Sequence, residues 1–71
     1  DSFVEAFDYE LRDSRIVIDF TNSRICDDSA VGAIDKVVLK LRENNNSVSI
    51  KGLDSASKKL VDRLAVYQQA N

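Results

Sequence analysis

The sequence predicts an α/β fold, a small sheet flanked by helices, built as a single domain over residues 1–71. Three features predict it. Arg15 to Phe20, RIVIDF, sets three β-branched residues in a row and closes on an aromatic, the composition of a strand. Ser47 to Lys51, SVSIK, alternates polar and apolar residues with Val48 and Ile50 on one side, a second and shorter strand. Between them Ala30, Ala33, Ile34, Val37, Val38 and Leu41 recur at helical spacing, an amphipathic helix with one apolar stripe.

The elements follow in order. Ser2 to Phe7, SFVEAF, places a serine cap three positions before Glu5 and spaces Phe3, Ala6 and Phe7 for a short helix. Tyr9 to Ser14 is a charged connector. In Arg15 to Phe20 the apolar residues do not alternate strictly with polar ones, which predicts a strand covered on both faces. Asp19, near its end, is expected to bond loop amides. After the loop Thr21 to Ser23, Ile25 and Cys26 form an apolar step, and Cys26 is expected to fill the interior. Asp27, Asp28 and Ser29 are helix-start residues. Asp35, Lys36, Lys40 and Arg42 form the outer face of the helix that follows, and Asp35 has no basic residue four positions on, where Leu39 stands. Gly32 inside this helix costs about 1 kcal/mol relative to Ala, which predicts another backbone packed against that turn.

Glu43 and the run Asn44, Asn45 and Asn46 end the helix, because Asn tolerates the left-handed conformation of a C-cap without Gly. Beyond the second strand, Gly52 and Leu53 turn the chain. Asp54 caps a last helix that runs to about Tyr67, with Ala56, Leu60, Val61, Leu64 and either Ala65 or Tyr67 as its apolar stripe. Tyr9 and Tyr67 are expected at half-buried edges, and Lys58 and Lys59 on a solvated face with acidic lipid as the lesser alternative. Two strands joined through a whole helix should be parallel and the crossover right-handed. Three helices on two strands leave apolar helix faces uncovered, so one or more strands are expected to precede Asp1 or to come from another chain.

Composition narrows the function. A domain of 71 residues buries only roughly 60% of its unfolded surface, and such thin cores usually need a disulfide, a metal or a partner. Cys26 is the single cysteine and there is no His, so neither an internal disulfide nor an imidazole metal site is available and no cofactor is expected. Ten Lys and Arg against 12 Asp and Glu, spread along the chain, exclude nucleic acid as the main ligand. No apolar run approaches the roughly 20 residues of a membrane span, so these residues are expected to be soluble whatever the parent chain is. One free Cys without a signal-peptide pattern suits a reducing, cytosolic setting. Without His there is no Ser-His-Asp or Cys-His arrangement, and Gly32 and Gly52, the two glycines, belong to no phosphate loop.

The one concentrated polar site is Asp27-Asp28-Ser29, where free amides and the positive end of a helix dipole converge. One reading is plain capping. The other is that Ser29 accepts a phosphoryl group and acts as a switch on a docking surface, with Asp27 and Asp28 repelling the added charge.

The run IVIDFTNSRICDDSAVGAIDKVVLKLRENNNSVSIKGLDSASKKLVDRL, Ile16 to Leu64, resembles the STAS domain. It is most similar to the version at the C-terminus of bacterial SulP-type transporters, the sulfate, bicarbonate and dicarboxylate permeases. VIDF, the DDSA turn and NSVSIKGL carry the resemblance, and SFVEAF looks like the short helix before the VIDF strand in the transporter branch. In the related anti-sigma factor antagonists a serine of the matching turn is phosphorylated by a partner kinase, and Ser29 occupies that place. Asp27 matches the aspartate that opens their turn, whereas Asp28 stands where Ser or Thr is frequent and Ala30 where Gly is frequent, departures that favour the transporter branch.

The resemblance implies a small mixed sheet flanked by helices, whose usual first two strands lie before Asp1. It implies a non-catalytic cytosolic domain, on the inner side of the bacterial membrane, that regulates, folds or localises an anion transporter. Asp27, Asp28, Ser29 and Ala30 would form its recognition turn, with Asp19 in support. The implied partners are the transmembrane portion of the same transporter, a cytosolic regulatory protein, or a second copy. The alternative is a soluble partner-switching protein, like the anti-sigma factor antagonists, phosphorylated at Ser29.

Overall fold

A computed structural model describes residues 2–68. The elements are α1 (Ser2–Glu5), β1 (Arg15–Asp19), α2 (Asp28–Arg42), β2 (Ser47–Lys51) and α3 (Ser55–Leu64), an α/β arrangement in the expected order. β1 and β2 pair in parallel as a two-stranded sheet, with Arg15 opposite Ser47 and Asp19 opposite Lys51. This register sets Ile16 and Ile18 beside Val48 and Ile50 on the inner face. Val17 and Ser49 face the other way, and Val17 is 51% exposed. The expectation that both faces of β1 are covered is therefore corrected: among the described residues only one is.

α2 is the centre of the molecule, packing against α1, β2 and α3. It buries Val31, Ile34, Val37, Val38 and Leu41. Val31 takes the innermost place on the first turn, while Ala30 and Ala33 line the rim of the same stripe, half-buried. Ile18, Phe20, Ile25, Val61, Ala65 and Tyr67 complete the core. One turn of helix has no stability of its own, so α1 is held by its rings. Phe3 lies 5.3 Å from Phe7 and 5.8 Å from Phe20, centroid to centroid, and the Tyr9 hydroxyl donates to the Val4 carbonyl.

The asparagine run does more than stop α2. Asn45 adopts the left-handed conformation, φ 63°, and all three side chains reach back to the connector before β1. Asn44 Nδ2 donates to the Tyr9 carbonyl at 2.8 Å and Asn45 Nδ2 to Asp13 Oδ1 at 2.7 Å. Asn46 is buried: its Oδ1 accepts from the Ser14 amide at 2.9 Å, and its Nδ2 donates to the carbonyls of Leu41 at 2.7 Å and Leu11 at 3.0 Å.

Five further expectations are corrected. α3 ends at Leu64 and not near Tyr67, with Ala65 extended at ψ 132°. The reason lies on α2, where the Asp35 carboxylate accepts the amides of Val66 (2.9 and 3.0 Å) and Tyr67 (2.9 Å) and so fixes a non-helical segment. Tyr67 is in consequence buried, not half-buried as Tyr9 is. The buried positions of α3 are Ser57 and Val61, while Ala56 and Leu64 are exposed. Cys26 is exposed, because Ile25 alone turns inward at that step. Gly32 meets no packed backbone: a Cβ built there has nothing within 4 Å.

Candidate functional site

The turn between β1 and α2 is organised by one carboxylate. Asp27 is extended (φ −151°, ψ 172°), the conformation of an N-cap, and its Oδ1 accepts from the Ala30 amide at 2.9 Å and from the Ser29 hydroxyl at 2.9 Å. These bonds satisfy a donor that the helix leaves orphaned. They also favour the charged carboxylate, and the Ala30 amide, then the Ser29 hydroxyl, hold Asp27 below the usual carboxylate range. Asp28 lies in the first turn, exposed, where the helix dipole favours a negative charge. Ser29 is exposed as well. Its hydroxyl proton is committed to Asp27, which leaves the oxygen lone pairs toward solvent.

Ala30 is the half-buried member and connects the turn to a hollow. With Ala33 and Ile34 of α2, Phe3 of α1, and Phe20, Ser23, Arg24 and Ile25 of the preceding loop, it lines a mostly apolar cleft of about 290 Å³. Arg24, Ile25 and Cys26 also border a second hollow, of about 460 Å³, against Asp54, Ala56, Ser57 and Leu60 at the start of α3. Of the turn Asp27 to Ala30, Ala30 thus lines the first cleft, while Asp27, Asp28 and Ser29 line neither and lie exposed.

Asp19 plays the part expected of a strand-end carboxylate. Its Oδ1 accepts from the Thr21 amide at 2.9 Å and from the Thr21 hydroxyl at 2.5 Å, and Lys51 Nζ stands 3.9 Å from Oδ2. The hydroxyl first, then the amide, hold its carboxyl below the ordinary value. Asp19 makes no bond to Asp27, Asp28 or Ser29, so it shapes the loop leaving β1 without joining the turn. Gly52 packs against this loop with φ +82°, in the left-handed region, where a Cβ would fall 2.6 Å from Asp19 Oδ1, the Thr21 amide nitrogen and Thr21 Oγ1.

Ser57 was not among the expected site residues. It is 1% exposed; its hydroxyl accepts from the Ile25 amide at 3.0 Å and faces the Ile25 carbonyl at 3.5 Å. This ties the segment before the turn to α3. The signal in the sequence is a serine set three and four positions before Leu60 and Val61, on the apolar stripe itself. Among the described residues no group of three or more His, Cys, Asp and Glu side chains could hold a metal ion, and no helix is long and apolar enough to cross a membrane.

No family model and no solved structure matches the chain. It is 42% identical over 60 residues, 84% of its own length, to the Bacillus subtilis protein named "Putative sulfate transporter YbaR". This chain is a small α/β domain related to that protein. It spans 13% of the length of that relative.

Proposed function

We propose that this chain belongs to the STAS domain of a SulP-type anion transporter, a non-catalytic module that acts on the cytosolic side of the bacterial inner membrane. The observation that carries the reading is the 42% identity across 84% of the chain with a protein named as a sulfate transporter. The turn Asp27 to Ala30 is then the surface read by the transmembrane portion or by a cytosolic regulator. Its chemistry supports contact more than turnover, since the Asp27 carboxylate serves a helix cap and both carboxylates lie exposed on the surface. In this reading further strands precede Asp1 and complete the two-stranded sheet. The test is the parent gene. It should encode about ten or more apolar spans upstream of Asp1, each of roughly 20 residues, and a parent without them refutes the reading.

The exposed Ser29 hydroxyl favours one second reading, a soluble partner-switching protein. Phosphorylation would add a charge of about −1.5 to −2, and the new group would face Asp27, whose carboxylate now accepts the hydroxyl proton. Incubation with ATP and host lysate, followed by mass spectrometry, should then find phospho-Ser29; persistent absence of the modification counts against this alternative.

A further inference from the structure

We infer that the end of α3, Lys59 and Arg63 with the exposed Leu64 and Val66 that follow, docks on the anionic headgroups of a phospholipid bilayer. The inference rests on the reading that sets this domain beside a membrane. The chain as a whole carries a net charge of −2, whereas α3 has the opposite sign, with Lys58, Lys59 and Arg63 against Asp62 alone. The acid of this helix is spent within the fold. Asp62 Oδ2 accepts from Lys58 Nζ at 3.2 Å, and its Oδ1 accepts from Gln68 Nε2 at 3.1 Å. Lys59 and Arg63 are exposed and make neither a hydrogen bond nor an ion pair among the described residues. They stand four positions apart, roughly 6 Å along one side of the helix, a spacing at which like charges oppose helix formation. The fold therefore carries a doubled positive charge that it does not use.

The apolar part of the surface is held outward by bonds from α2. Asp35 fixes the amides of Val66 and Tyr67, and Arg42 donates to the Tyr67 carbonyl at 3.0 Å. With the backbone extended at Ala65, Ala65 and Tyr67 turn into the core and Val66 is left 55% exposed, next to Leu64 at 38%. Two unmatched cations followed at once by two exposed aliphatic side chains have the complement of a bilayer surface, where negative headgroups overlie hydrocarbon. Anionic lipid attracts Lys and Arg close to it, and aliphatic side chains enter the headgroup boundary.

Cosedimentation of the chain with phosphatidylglycerol vesicles at low salt, set against phosphatidylcholine vesicles, tests the inference. The chain should bind the anionic vesicles alone, although its own net charge is negative, and should be released as salt is added. Lys59→Gln and Arg63→Gln should each weaken partitioning by roughly fivefold. Lys36→Gln removes the same charge from an exposed position of α2 that borders a hollow with Val4 of α1, and should leave binding unchanged. Thermal melts should not move, because all three sites are exposed. No binding to the anionic vesicles, leaving the patch to a protein partner, overturns the inference. So does equal binding to both kinds of vesicle, or an equal loss from all three variants. None of these results touches the transporter reading, which the upstream gene sequence decides.

Discussion

Replacing Gly52 by alanine tests the geometry beside the candidate site most directly. At φ +82° an L-residue loses about 1–2 kcal/mol relative to glycine. The new Cβ would also lie 2.6 Å from three atoms of the Asp19–Thr21 loop, two of them a backbone nitrogen and a carboxylate oxygen already bonded to each other. Relieving that crowding should cost about as much as overpacking a core, about 1–3 kcal/mol. The sum, about 2–5 kcal/mol, is a large share of the 5–15 kcal/mol typical of a domain. At roughly 4–8 °C per kcal/mol for a chain of this size, the melting temperature should fall by about 8 °C or more in a calorimetric scan. Displacing Thr21 should also let the Asp19 carboxyl rise toward its ordinary value in an NMR titration. Gly32→Ala is the internal control and should have the opposite sign, stabilising by roughly 0.5–1 kcal/mol, because its Cβ meets open space within a helix. A Gly52→Ala protein that melts with the wild type would refute the argument.

Asn46→Ala should destabilise by about 2–4 kcal/mol in urea titration, since it leaves the Ser14 amide and the Leu11 carbonyl without their partner and takes one of its donors from the Leu41 carbonyl. Val38→Asp puts an unpaired carboxylate at a fully buried position of α2 and should cost at least about 4 kcal/mol, abolishing dispersed amide signals in NMR. Asp27 titrates below its ordinary value because of the Ala30 amide and the Ser29 hydroxyl. Its contribution to stability is therefore complete above the unfolded value of about 3.9 and is lost as pH falls through the lower folded value. Asp27→Asn should flatten that limb of the stability curve below about pH 4, and an unchanged limb would show that the carboxylate charge contributes nothing there.

The order of elements and both long helix starts were legible because local chemistry writes them. A β-branched run, an alternating SVSIK and aspartates before apolar stripes need no knowledge of the rest of the fold. Asp19 and Asp27 bond where local patterns place them, two and three residues along the chain. What escaped the sequence depends on distant partners. The pattern places Asp35 on the outer face of α2 with no basic residue four positions on, yet it stops α3 by holding amides 31 and 32 residues away. Ser57 lay on an apolar stripe, and only the Ile25 peptide, 32 residues off, explains it. The exposure of Cys26 and the empty space over Gly32 follow from how α1, the loop and α3 dock, which periodicity does not encode.

The constant offset between partners governs how this chain is made. β1 joins β2 at a separation of 32 residues at every rung, and the bonds Ser14 to Asn46, Asp13 to Asn45, Ile25 to Ser57 and Tyr67 to Asp35 keep that same separation. Among the described residues no hairpin offers an earlier foothold. Among the described residues β1 therefore meets its partner strand only once α2 and β2 have both been synthesised, a pairing of long sequence separation that forms late and leaves Ile16 to Phe20 dependent on it for cover.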